Sequence, residues 1–217
     1  MRPLRLPPLY PILDVGALAE RRLGPLDVLD AWLAAGVTFW QLRAKDVPGG
    51  VLLDLIDTAV ERSHRVGARV IVNDRTDLAL MAGADGVHVG QTDLPPAAVR
   101  RLSGDTFVVG LSTHTSEQVD AACLEPVSYV AIGPVFTTAS KGGATDPAVG
   151  IDGVRSAAGH AAARSVPVVA IGGLTLETLP HVLAAGAASV AVISDLLVGD
   201  PAVRIQQYQK ALSGLTL

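Results

Sequence analysis

The chain has 217 residues, a formal charge of −4 and 49% hydrophobic residues. That length suits one large domain or two small ones, and an acidic balance without a Lys/Arg-dense face argues against a nucleic-acid partner. Mean hydropathy is high at +0.41, yet charges, glycines and prolines interrupt the apolar runs, so no membrane span is expected.

Strands buried on both faces, read as continuous Val/Ile/Ala runs, account for the apolar surplus. The single cysteine, Cys123, excludes an intrachain disulfide framework and fits a reducing cytoplasm.

Residues 1–8 read as an N-terminal extension. Its prolines and lack of a long apolar core argue against a secretory signal. From 9 to 213, apolar runs alternate with helical patterns. Strands are expected near 9–14, 37–42, 69–73, 85–89, 106–111, 128–132, 167–171 and 188–193. Helices are expected near 25–35, 50–66, 76–82, 95–102, 115–124, 152–164, 175–185 and 201–213. In the second helix Leu52, Leu55, Ile56, Ala59 and Val60 share one face.

Local punctuation agrees with these boundaries. Asp200-Pro201 has the form of an N-cap followed by proline in the first turn, and Thr115 with Gln118 has capping-box spacing. Pro180 is awkward inside the seventh helix. Gly36, Gly67, Gly83 and Gly186 each stand between a helix and the next strand, where a left-handed C-cap is expected. Eight such units without a linker predict a single-domain (β/α)8 TIM barrel; a doubly wound sheet does not readily use eight equal units.

In a barrel the chemistry lies on the loops after the strands. Gln41, Arg43 and Lys45 alternate along the end of the second strand and point one way. Two cations crowded there suit an anion. Asp74 and Asp93 follow neighbouring strands and can converge on a hard cation such as Mg²⁺, or each can N-cap the helix that follows. Lys141 is either a third cation of the site or a solvated lysine on a loop. The hydroxyl- and glycine-rich run Thr137–Gly143 has the composition of a phosphate-gripping lid or of an ordinary loop. Gly172-Gly173 and Ile193-Ser194 fit a second phosphate site at the ends of strands 7 and 8, or simply tight turns. His88 reads as a satisfied interior histidine and Cys123 as a small apolar residue. His114, at the mouth, is open to a role. No Ser-His-Asp order or zinc cluster emerges.

Taken in order, Gln41–Lys45, Val72–Asp74, Ala84–Asp93, Gly110–Ser112, Gly133–Lys141, Val149–Ile151, Ala170–Gly173 and Val190–Ser194 resemble the thiamine-phosphate synthase family over nearly the whole chain. The resemblance implies transfer of a hydroxymethylpyrimidine diphosphate onto a thiazole phosphate, with diphosphate released. It implies Mg²⁺ on Asp74 and Asp93, and the pyrimidine diphosphate on Gln41, Arg43, Lys45, Asn73 and Lys141. Ser112 would stand beside the reacting pyrimidine, and Thr138, Ser140, Gly173, Ile193 and Ser194 would hold the thiazole phosphate. Lys141, Ser112 and Arg43 are the expected catalytic residues, and a homodimer is the implied assembly. The family lid commonly reads Pro-Thr-x-Thr-Lys; here it is Thr137-Thr138-Ala139-Ser140-Lys141, with a hydroxyl kept at both contact positions. A thiazole tautomerase on a similar barrel is the alternative. It would use the thiazole-phosphate site without the diphosphate arm.

Overall fold

In a computed structural model, which describes residues 4–137 and 147–214, eight parallel strands close on one another in sequence order. They are β1 (Leu9–Asp14), β2 (Phe39–Arg43), β3 (Arg69–Asn73), β4 (Gly86–Val89), β5 (Val108–Thr113), β6 (Tyr129–Ile132), β7 (Val168–Ile171) and β8 (Ser189–Val192). Between and after them lie α1 (Val15–Glu20), α2 (Pro25–Ala34), α3 (Gly49–Arg65), α4 (Thr76–Met81), α5 (Pro96–Ser103), α6 (Ser116–Ala122), α7 (Gly150–Ala162), α8 (Leu179–Ala184) and α9 (Pro201–Ser213). The expected (β/α)8 barrel is therefore the fold.

Alternation along the strands sorts the core into two shells. Tyr10, Ile12, Phe39, Ile71, Val108, Tyr129, Ala131, Val169 and Ala191 fill the barrel interior. Leu13, Leu42, Val70, Val72, Val87, Val109 and Val130 point outward against the helices. Each fully buried aliphatic of this kind contributes about 1.5–3 kcal/mol. The second shell explains why the strands read as unbroken apolar runs.

Two elements lie outside the expected pattern. The chain turns helical at once after β1, because Asp14 caps α1 by accepting from Ala17 N at 2.8 Å. After β8, a short 3-10 helix over Ser194–Leu197 precedes α9. Pro180 is compatible with α8 because that helix starts late, at Leu179, and the proline falls in the first turn, where its missing N–H costs nothing. Asp200 caps α9, accepting from Ala202 N and Val203 N at 2.7 and 3.3 Å. Thr115 accepts from Gln118 N at 3.3 Å, but Gln118 answers one residue earlier than in a capping box, accepting from His114 N at 2.7 Å. The inter-unit glycine Gly186, at φ 102°, shows why glycine stands there: a side chain would be strained at that angle.

Candidate active site

The strand tips bring the polar residues together. Arg43, last in β2, is the inward-facing neighbour in register of Asp14, last in β1, and the two form an ion pair. Asp14 thus caps α1 with one oxygen and holds the guanidinium with the other. A largely buried arginine so anchored keeps donors fixed in direction, which suits a phosphate better than a freely rotating lysine does.

Asp74 stands one residue beyond β3 at φ 62°, a left-handed position that Asp tolerates better than most residues. Its carboxyl pKa is pushed up to about 6, first by burial, then by the charge of Asp93 and a hydrogen bond to it; Lys45 and Arg43 pull in the opposite direction. Asp93, Asp74, Lys45 and Arg43 are thus one electrostatic cluster. Neither acid caps a helix with its side chain: α4 and α5 begin after Arg75 and Pro95 without a side-chain cap bond. Asp93 instead accepts from Gly90 N at 2.7 Å, folding the β4 loop back on itself. Two carboxylates pressed together, with cations beside them, supply the hard oxygen donors that Mg²⁺ takes alongside substrate phosphates. Among the described residues no group of three or more acids, histidines or cysteines is placed to hold a metal ion without other donors.

Below this cluster runs a buried chain of polar groups that crosses the barrel. Gln41 Nε2 donates to the Tyr10 hydroxyl at 2.9 Å, and the Tyr10 and Tyr129 hydroxyls lie 2.9 Å apart. Tyr129 OH is 3.0 Å from His88 Nδ1, and His88 Nε2 is 2.8 Å from Ser112 Oγ. Burial raises the pKa of both phenols, so they stay protonated. Gly110 makes room for this chain: a Cβ there would sit 2.2 Å from the Tyr129 ring and 2.6 Å from His88 Nδ1. Gln91 Nε2 donates to Ser112 O at 2.6 Å, tying the β4 and β5 loops together.

On the other side of the mouth, Val135 N and Phe136 N donate to Ile171 O and Gly172 O at 2.9 and 3.0 Å. A Cβ on Gly173, itself at φ 66°, would lie 2.8–2.9 Å from Phe136 and Thr137. The two glycines therefore have a packing reason independent of any phosphate. His114 Nδ1 donates to Gly133 O at 2.6 Å, bridging the β5 and β6 loops.

Gln41, Arg43, Lys45, Asn73, Asp74, Asp93, Ser112, Gly173, Ile193 and Ser194 thus all lie at the C-terminal ends of strands or just beyond them. Thr138, Ser140 and Lys141 lie outside the described residues. Sequence reasoning missed Tyr10 and Tyr129 beneath the candidate site; the inward parity of Tyr10, four residues before the strand-end Asp14, was the available signal. His88 is the satisfied interior histidine expected, with both ring nitrogens partnered, one of them by Ser112.

Fold and strand-end cluster together define a (β/α)8-barrel protein whose candidate site is the C-terminal mouth. The thiamine monophosphate synthase family model matches residues 9–196. A thiamine-phosphate synthase of Koribacter versatilis is 43% identical over 96% of this chain and 97% of its own length; one of Acidothermus cellulolyticus is 43% identical over 90% and 92%. The structure of a thiamine phosphate pyrophosphorylase from Pyrococcus furiosus superposes with a TM-score of 0.82 at 27% identity, covering 94% of this chain and 95% of that one. The chain belongs to the thiamine monophosphate synthase family. The tautomerase alternative gains no support from these relatives.

Proposed function

We propose that the chain makes thiamine phosphate in this mouth, by departure of diphosphate from a pyrimidinylmethyl carbon and capture of that carbon by the thiazole nitrogen. The carrying observation is the half-buried Asp74, adjoining Asp93 and within the fields of Arg43 and Lys45. Such a cluster suits a diphosphate accompanied by a divalent ion and is poorly suited to a neutral ligand.

Arg43, steadied by Asp14, and Lys45 would grip the departing phosphates together with Lys141. Gln41 and Asn73 would orient the pyrimidine end, and Ser112 would stand beside the reacting ring. Gly173, Ile193 and Ser194 would offer polar groups to the thiazole phosphate, joined by Thr138 and Ser140. Mg²⁺ held by Asp74 and Asp93 would neutralise charge developing on the diphosphate. The electron-rich pyrimidine stabilises the cation left behind, so the chain needs electrostatic stabilisation and positioning more than a nucleophile or general base. We assign the barrel to residues 9–213, a cytoplasmic setting to the chain, and a homodimer as its assembly.

The test is diphosphate release with both substrates, with and without Mg²⁺, in the wild type, Asp93→Asn and Lys141→Ala. Turnover should require Mg²⁺ and fall roughly a hundredfold or more in each variant, the scale of losing one preorganised charge at a transition state. Full activity in either variant would overturn the assignment.

A further inference from the structure

The far end of the barrel gathers three arginines around a depression. The segment Leu4–Pro8 crosses beneath the strands, with Leu4 and Leu6 packed against the interior cluster and Pro8 O accepting from Val190 N at 2.8 Å. Beside it is a depression of about 970 Å³, lined in part by Arg5, Arg69 and Arg164 and by the apolar groups Leu4, Phe107 and Val166. That volume is at the upper end of what small-ligand sites occupy.

The arginines themselves argue for a ligand. Arg69 opens β3, two residues before the interior residue Ile71 and in register with the interior Phe39, so it belongs to the inward-facing row. Arg164 follows α7 in a turn whose next residue, Ser165, stands at φ 55° and also lines the depression. Among the described residues, most other arginines face a carboxylate, as Arg62 does Asp30 and Arg155 does Asp152. Arg5, Arg69 and Arg164 have no ion pair or side-chain hydrogen bond there, and Asp105, next in sequence to the lining residue Thr106, acts on Arg100. In a chain of net charge −4, three solvent-exposed arginines lining one concavity form a cationic surface that suits a polyanion with several phosphate oxygens.

We propose that this basal depression binds a phosphate ester of mononucleotide size, its phosphates on Arg5, Arg69 and Arg164 and its organic body on the Leu4, Phe107 and Val166 wall. The site is at the opposite end of the strands from the mouth and is independent of the synthase reaction.

Calorimetric titration of the full chain with ATP, and separately with inorganic tripolyphosphate, both in EDTA, tests it. The comparison set is the wild type, Arg69→Ala/Arg164→Ala, and Arg43→Ala at the mouth. ATP should bind the wild type and Arg43→Ala alike. It should weaken roughly tenfold for each basal arginine removed, the worth of one charge-assisted hydrogen bond, while turnover stays unchanged. Should the double variant fail to fold, Arg164→Glu, on an exposed turn, carries the same expectation. Undiminished ATP affinity in the basal variants, or loss of ATP binding through Arg43→Ala alone, would overturn the site. Tripolyphosphate binding as tightly as ATP would overturn the role of the apolar wall.

Discussion

At the scale of single residues, the mouth is governed by Asp74. Its carboxyl, raised to about 6 chiefly by burial and then by Asp93, is harder to ionise in the folded chain than in the unfolded one, where about 3.9 is normal. Its contribution to stability is therefore complete below pH ~4 and is lost as pH climbs through about 6. Asp74→Asn, which tolerates the φ of 62°, removes that dependence. Without divalent ions, its melting temperature should gain on the wild type between pH 4 and 6.5 and then hold a constant lead; a gap independent of pH would contradict the burial. Arg43 makes a second case. Arg43→Lys keeps the charge but loses the fork that Asp14 holds, so KM for the pyrimidine diphosphate should rise about tenfold, as expected for a lost bidentate contact. Steady-state kinetics with the thiazole phosphate saturating would measure it.

Elements carry their own consequences. The β6 loop is seated on β7 through Gly173, where a methyl group would both meet Phe136 and strain the backbone. Gly173→Ala should cost about 1–3 kcal/mol, read as a lower urea midpoint at unchanged slope. Helix α9 is fastened to the 3-10 helix by Asp195, which takes hydrogen bonds from Arg204 Nη2 at 2.7 Å, from Tyr208 OH, and from Leu176 N at 3.2 Å. Asp195→Ala takes the carboxylate from a mostly buried guanidinium that keeps only the Asp195 carbonyl and Gln207, and should cost about 1–3 kcal/mol by the same assay. The long periodic elements were legible beforehand, since α3 and β3 each obey a single period. The 3-10 helix and α1 were not: both are short, and their formation depends on a capping acid and on tertiary partners, which leave no periodic trace. Asp195 was visible as a strand-end acid, but only the packing of α9 turns it toward Arg204 and away from the mouth. The Arg43–Asp14 pair was hidden for a related reason. Strand register, unlike strand parity, is set by neighbours distant in the chain.

Across the whole molecule, the C-terminal face gathers cations and paired acids while the interior beneath is braced by hydroxyls, and the two layers should respond together. Mg²⁺ with diphosphate, each at a hundred times its dissociation constant, should stabilise the fold by about 2.7 kcal/mol or more; the melting curve with and without the pair checks this. The buried chain from Gln41 to Ser112 has a further consequence, because its protons can be counted. The Gln41 amide nitrogen donates to Tyr10, so each hydroxyl hydrogen along the chain finds an acceptor when Tyr10 donates to Tyr129 and Tyr129 to His88 Nδ1. The imidazole is then the Nε2–H tautomer and gives that hydrogen to Ser112 Oγ. An amide on the second strand thereby reaches, four side chains away, the Ser112 hydroxyl, which accepts from His88 and turns its own hydrogen away from it.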